Sequence, residues 1–251
     1  MLLYGLACYA LFLATFLYAI AFVGDLWPLL GLRGEAFRSL DSGGAPAPFG
    51  VALAIDAALL GVFALQHSGM ARAGFKRWWT RIVPEPIERS SYVLASSLCL
   101  IALFWQWRPL GTAVLWDLSA GPLGAALLAL SLGGYLLVLV STFQISHGSL
   151  FGVRQVWDAY RGGVMVESPF KTPPFYRAVR HPLYLGFLIG FWATPVMTLS
   201  HLVFALGTTG YILVAIQLEE RDLVARFGDA YVEYRRAVAM LLPFTSPLRR
   251  G

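Results

Sequence analysis

Histidine is the side chain best suited to moving a proton near neutral pH. The chain holds four, His67, His147, His181 and His201, each at or near the end of an apolar segment. Glu88, Glu167, Glu219 and Glu220 are the acidic residues that would share a metal with them. No two histidines have the i, i+4 spacing that sets a pair of imidazoles on one helix face, so no metal is expected. The densest reactive run is Arg180-His181-Pro182-Leu183-Tyr184-Leu185-Gly186, followed about 33 residues later by Glu219-Glu220-Arg221-Asp222-Leu223. It offers a planar cation, an imidazole held out of helical geometry by the proline after it, a phenol and two carboxylates. Cys8 and Cys99 lie inside apolar runs and read as packing residues. Asp56, within an apolar run, is either a proton-carrying group or a buried hydrogen-bond acceptor.

The elements that must position these groups belong in a bilayer. Of 251 residues, 58% are apolar and 13% charged, and the mean hydropathy is +0.66, outside the range of ordinary soluble domains. The expected architecture is an all-α membrane bundle of one domain over 1–251, with about five hydrophobic segments. Four, at 2–23, 49–66, 92–111 and 122–143, suit single helices crossing about 30 Å of hydrocarbon. The fifth, 183–216, is too long for one simple span and contains Pro195, so a hairpin turning near 193–200 is expected. Ala19-Ile20-Ala21 resembles a signal cleavage site, but nothing basic precedes it and the apolar run exceeds the usual core of about 7–15 residues. It is expected to remain as a span.

Sixteen of the nineteen Lys and Arg residues fall in 67–91, 144–182 and the chain after 216. The positive-inside rule assigns these three regions to the cytoplasm, and that placement accounts for the basic balance without a nucleic-acid partner. The first region reads as an amphipathic interfacial helix ending in the Pro84-Glu85-Pro86 turn. The third reads as a C-terminal amphipathic helix over about 217–240, with Leu223, Phe227, Tyr231, Tyr234 and Val238 on its packing face, closing a cytoplasmic site. Most tryptophans, among them Trp78, Trp79 and Trp105, read as an interfacial belt.

The Arg180 and Glu219 runs, with Phe227-Gly228-Asp229-Ala230-Tyr231-Val232-Glu233-Tyr234 and the closing Leu242-Pro243, resemble the isoprenylcysteine carboxyl methyltransferase superfamily of integral membrane methyltransferases over 144–243. Gln66-His67-Ser68-Gly69-Met70-Ala71-Arg72, Phe75-Lys76-Arg77-Trp78-Trp79, Pro84-Glu85-Pro86-Ile87-Glu88-Arg89-Ser90-Ser91-Tyr92 and Leu150-Phe151-Gly152-Val153-Arg154-Gln155 resemble its bacterial methanethiol S-methyltransferase branch. One departure stands at Ser146-His147-Gly148-Ser149, where that branch has Asn-His-Phe-Asp before Leu-Phe-Gly. The resemblance implies a bacterial-type inner-membrane enzyme with its site facing the cytoplasm. Its methyl donor would be S-adenosylmethionine, giving S-adenosylhomocysteine, and its acceptor a small volatile thiol, methanethiol, giving dimethyl sulfide.

Under that resemblance each charged or flat part of the donor needs a partner. Arg180 would clamp its carboxylate, Glu219 or Glu220 its ammonium, and Tyr184 with Phe151 or Tyr176 would flank the adenine or sulfonium. His181 and Pro182 would shape the same site. The transfer is an in-line displacement that needs no metal, but a thiol must lose its proton to attack well. His147 is the first candidate base and His67 the second, with Arg72 and Arg154 as cations that would lower the thiol's pKa. Two rival readings remain. A wide lipid-facing groove between the fourth and fifth segments would favour a prenylated cysteine, a lipid amine or another thiol as acceptor. A transporter would use Asp56 and His67 as a proton path.

Overall fold

The computed structural model of the chain describes residues 1–163 and 170–243. Glu167, Arg249 and Arg250 lie outside the described residues. In chain order the elements are α1 (Leu2–Gly24), α2 (Phe49–Ala71), α3 (Ala73–Trp79), α4 (Glu85–Gln106), β1 (Val114–Asp117), α5 (Pro122–Ile145), α6 (His147–Leu150), α7 (Val153–Tyr160), α8 (Pro174–Ala178), α9 (Pro182–Trp192), β2 (Val196–Thr198), α10 (Leu199–Phe227) and α11 (Asp229–Ala237). Helices α1, α2, α4, α5 and α10 are long and apolar enough to cross a membrane. The protein is a polytopic membrane helical bundle.

Three boundaries differ from expectation. The 67–91 region is not one interfacial helix: α2 continues to Ala71, the seven-residue α3 follows, and α4 begins at Glu85. Pro84 caps α4 and Pro86 sits in its first turn, where a missing N–H costs nothing, so this proline pair starts a helix where a turn was expected. The helix expected over 217–240 is two pieces. The first is the end of α10, whose 29 residues run about 43 Å, well past the hydrocarbon. The second is α11, separated from it by Gly228 at φ 57°. The expected turn after residue 192 is present, but its first arm, the 11-residue α9, is only about 16 Å long. An extended stretch follows, in which β2 pairs antiparallel with β1, a small sheet that the helical periodicity gave no sign of.

Packing follows small residues. Helix α9 lies against α5 so closely that a Cβ on Gly134 would stand 2.6 Å from the Gly186 carbonyl oxygen, and one on Gly186 2.6 Å from that of Gly134. Ser131 donates to the Gly190 carbonyl (2.8 Å) across the same seam. Lipid supplies no hydrophobic drive between helices, so close backbone approach and hydrogen bonds of this kind hold them. At the end away from the basic regions, Phe22, Leu103, Phe104, Trp107 and Phe204 form a buried cluster joining α1, α4 and α10. Asp56 is fully buried and accepts from the Arg108 backbone N–H at 2.9 Å. His201 donates from Nε2 to the Phe191 carbonyl (2.7 Å).

Candidate active site

The Arg180 run and the Glu219 run meet at the basic end of the bundle. His181 precedes α9, and Pro182 fills its first helical position, where the fixed φ suits a helix start. The strand-like piece behind them pairs with the chain's return: Arg180 N donates to the Ala239 carbonyl (2.8 Å) and His181 N to that of Met240 (3.2 Å). Glu220 sits beneath with its side chain only 5% exposed, hydrogen-bonded to two side chains and paired with a third cation. Arg180 Nε lies at 2.7 Å and His181 Nε2 at 3.0 Å from Oε1, and Arg235 Nε at 3.2 Å from Oε2. Arg180 Nη1 also donates to the Val238 carbonyl at 2.5 Å. A buried carboxylate so surrounded is a structural knot that binds α9, α10 and α11 together.

Glu219 is placed differently. Its Oε2 accepts from the Tyr184 hydroxyl (2.9 Å), and its other oxygen has no hydrogen-bond partner among the described residues. Its charge reaches the hydroxyls of Tyr92, Tyr176, Tyr184 and Tyr211. Burial, with that charge adding, raises the Tyr176 phenol above its ordinary range, and burial pushes Tyr234 up to about 12. Tyr234 donates to the Tyr176 carbonyl (2.5 Å), holding α8 against α11. The Tyr176 and Tyr234 phenols stay protonated.

His67, near the end of α2, has Nδ1 3.1 Å from Ser96 Oγ, and the Tyr92 hydroxyl lies over its ring, 2.9 Å from Nε2 and 3.1 Å from Nδ1. The next residue, Ser68, bonds Tyr211 on α10 (3.1 Å). Arg72 ties the same two helices, with Nη1 2.9 Å from Asp222 and 3.3 Å from the Leu218 carbonyl. Arg72 is therefore a brace between α2 and α10.

His147 opens α6 on the opposite flank. Its Nε2 lies 2.7 Å from the Tyr9 hydroxyl and its Nδ1 2.8 Å from Thr142 Oγ1. Phe143 stacks on the ring at 4.2 Å, and burial lowers its pKa from the ordinary value. Phe151 stacks on Phe12 of α1 at 4.1 Å and touches the His147 ring, and Tyr184 is not among its ring partners. Two glycines seat this flank: Gly152, at φ 83°, stands where a Cβ would meet Ser90, and Gly5 where one would meet Val156. Arg89 Nε adds a 2.7 Å bond to the Leu150 carbonyl. Arg154, half exposed, pairs with Asp158 one turn on (3.5 Å).

The residues expected at one site thus fall into two groups. Arg180, His181, Pro182, Tyr184, Glu219, Glu220, Tyr176, Arg72 and His67 converge where α2, α9 and α10 meet. His147, Phe151 and Arg154 stand together beside α1. Tyr92, Ser96, Tyr211 and Arg235 join the first group although sequence reasoning passed over them. The i, i+4 pair Tyr92 and Ser96 and the i, i+8 pair Tyr211 and Glu219 are polar positions on one face of otherwise apolar helices, and that spacing was the available signal. Among the described residues no three His, Cys, Asp or Glu side chains stand together as a metal site. A cleft of about 470 Å³ opens nearby, lined in part by Lys76, Arg77, Glu88, Arg89 and Gln155.

A Mycobacterium tuberculosis protein named methanethiol S-methyltransferase is 54% identical over 243 residues, covering 97% of this chain and 96% of its own length. The chain belongs to the methanethiol S-methyltransferase family. Another family member of that name, from Crocosphaera subtropica, is 51% identical over 243 residues, covering 97% of this chain and 91% of its own. More distantly, Nurim of Xenopus laevis is 30% identical over 201 residues, 76% of this chain and 70% of its own. No family model and no solved structure matches the chain. Membership makes this a membrane methyltransferase.

Proposed function

We propose that the protein transfers a methyl group from S-adenosylmethionine to methanethiol, giving dimethyl sulfide and S-adenosylhomocysteine, at a site facing the cytoplasm of a bacterial-type inner membrane. The observation that carries this reading is the 54% identity, over nearly the whole of both chains, to a protein named for that reaction. The geometry adds support for the acceptor. A bulky lipid-borne acceptor would need an open groove between α5 and the α9–α10 hairpin, and the glycine contact closes that seam.

The donor's amino-acid end fits the residues present. Among the described residues Glu219 keeps one carboxylate oxygen without a hydrogen-bond partner, so it would accept the ammonium, with Tyr184 holding the other oxygen. Arg180 has Nε and Nη1 engaged by the knot, and its Nη2, without a hydrogen-bond partner among the described residues, would take the carboxylate. Glu220, hydrogen-bonded to Arg180 and His181 through Oε1 and paired with Arg235 through Oε2, positions these side chains. Tyr176 is the aromatic of this group left to flank the adenine or sulfonium. When bound, S-adenosylmethionine supplies an electrophilic methyl on a sulfonium, and the residues' part is alignment and exclusion of water.

Headspace gas chromatography of the detergent-purified protein with S-adenosylmethionine and methanethiol tests this, beside Glu219→Gln. Dimethyl sulfide from the wild type and a large loss in the variant is the expected result. S-adenosylhomocysteine binding without product would show that the acceptor is wrong. Absence of both binding and product would overturn the enzyme reading itself.

A further inference from the structure

We propose that the basic cleft at the elbow between α3 and α4 binds the headgroup of an anionic phospholipid, phosphatidylglycerol, with an acyl chain laid in the apolar groove beside it. The inference rests on the membrane bundle alone and is independent of the methyl acceptor. Four cations, Lys76, Arg77, Arg89 and Arg226, and two carboxylates, Glu85 and Glu88, line the cleft of about 470 Å³. Among the described residues, no ion pair uses Lys76, Arg77 or Arg89. Burial first, and then the Arg89 charge, pull Lys76 below its ordinary pKa; Arg226 and Arg72 add to that pull, and Glu88 opposes it. Positive charges gathered in this way repel one another, and a bound phosphate relieves them.

Height in the membrane decides where the phosphate comes from. Glu85, Glu88 and Arg89 occupy the first turns of α4, whose 22 residues run about 33 Å, so these turns stand at the headgroup level when the rest of the helix fills the hydrocarbon. Phe75, Trp78 and Trp79 of α3 cluster beside them, and Trp78 is half exposed, as suits a membrane–water interface. On the neighbouring side of the elbow lies an apolar groove of about 370 Å³, with Tyr4, Trp79, Ile87, Ser91, Leu94 and Leu98 in its walls. From Ile87 to Leu98 it follows α4 for about 16 Å into the hydrocarbon. Glu88 of the cleft and Ser91 of the groove are i, i+3 on α4, so the two hollows adjoin there. A lipid whose phosphate lies on Lys76 and Arg77 therefore has a seat for a chain on the same helix, which a free phosphate cannot use.

The balance of charge selects the lipid. A zwitterionic headgroup would carry an ammonium in among the cations, whereas phosphatidylglycerol brings a phosphate and glycerol hydroxyls. Glu88 and Gln155, both in the cleft wall, each have Oε1 without a hydrogen-bond partner among the described residues. Those hydroxyls are donors for them. Basic pockets between membrane helices are a recurrent seat for anionic headgroups.

The test is native mass spectrometry of the full chain, freed of lipid in a neutral detergent and titrated with phosphatidylglycerol, beside thermal melts and S-adenosylhomocysteine competition. Phosphatidylethanolamine with the same chains and the deacylated headgroup, glycerophosphoglycerol, are the comparison ligands. Phosphatidylglycerol should bind and raise the thermal midpoint, phosphatidylethanolamine should bind about fivefold more weakly or worse, and the deacylated headgroup more weakly still. Each cation removed should cost about fivefold in phosphatidylglycerol affinity, so Lys76→Gln combined with Arg77→Gln should lose about 25-fold. Arg81 is exposed in the same elbow outside the cleft, and Arg81→Gln should bind as the wild type does. Should the double variant not fold, Arg77→Gln alone carries the fivefold expectation. Equal binding of the two lipids, a deacylated headgroup as tight as the lipid, or a double variant that matches Arg81→Gln overturns the assignment. So does displacement of the lipid by S-adenosylhomocysteine, which would make the cleft the mouth of the donor site.

Discussion

The contact between Gly134 and Gly186 gives the sharpest test of how the bundle sets its site. Alanine at 186 would place its Cβ 2.6 Å from the Gly134 carbonyl oxygen, whereas ordinary contact begins at 3.4 Å. Both partners are helix backbone, so neither can rotate away, and α9 must move off α5 by up to about 0.8 Å. Overpacking of that kind costs about 1–3 kcal/mol, a factor of roughly 5 to 150 in the folding equilibrium. The same displacement moves Tyr184, half a turn from Gly186 on the short α9, away from Glu219, and a misplacement near 1 Å can cost about 100-fold in rate. Gly186→Ala should therefore lower the thermal midpoint in detergent and weaken S-adenosylhomocysteine binding by calorimetry. Gly134→Ala meets the same contact from the other side, so the double variant should cost less than the two single changes together. Gly133→Ala, with nothing within 4 Å of its added Cβ, should be neutral or slightly stabilising. If Gly186→Ala behaves like Gly133→Ala in both assays, the helices do not meet through these glycines and the reasoning fails.

Adjacent glutamates should separate by function: Glu220→Ala strands Arg180, 10% exposed, beside a lost carboxylate and should destabilise by about 3–5 kcal/mol in thermal or denaturant melts. Glu219→Gln should instead leave melting near wild type and weaken S-adenosylhomocysteine binding about tenfold or more, as expected for a lost charge-assisted bond. His147 is held below its ordinary pKa of 6.5 by burial, so unfolding takes up a proton there. Stability should be fully present above that value and fall as pH drops below it, and His147→Gln should flatten this part of a melting-temperature scan. Asp56→Asn keeps an acceptor for the Arg108 N–H and should preserve methyl transfer, whereas a transporter using Asp56 as a proton carrier would lose function in a proton-flux assay.

The bundle itself was legible because hydropathy and charge are local properties. Runs at 2–23 and 49–66 became α1 and α2, and the turn expected near 193–200 falls where α9 gives way to β2. The start of α4 was misplaced by seven residues because Pro84 and Pro86 signal a chain bend and a helix start with the same residues. The C-terminal helix was drawn as one because the periodicity of Leu223, Phe227, Tyr231 and Tyr234 passes smoothly across Gly228, whose positive φ breaks the backbone without breaking the pattern.

By itself the sequence determined that the protein is a membrane bundle with a basic end, and it marked the Arg180 and Glu219 runs as candidates for its chemistry, because residue type and spacing encode span length and motif. Only the tertiary structure decided which side chains share a site. His67 and His147 are alike in sequence, each at the edge of a span, and each ring meets a tyrosine hydroxyl and a Ser or Thr hydroxyl. What separates them is which helices bring up the neighbours: α10 carries Tyr211 and Glu219 toward His67, while α1 brings the apolar Phe12 ring to the flank of His147. Likewise Glu219 and Glu220 differ because consecutive helical residues point about 100° apart, so one carboxylate is spent on the knot beneath α11 and the other stays open beside Tyr184.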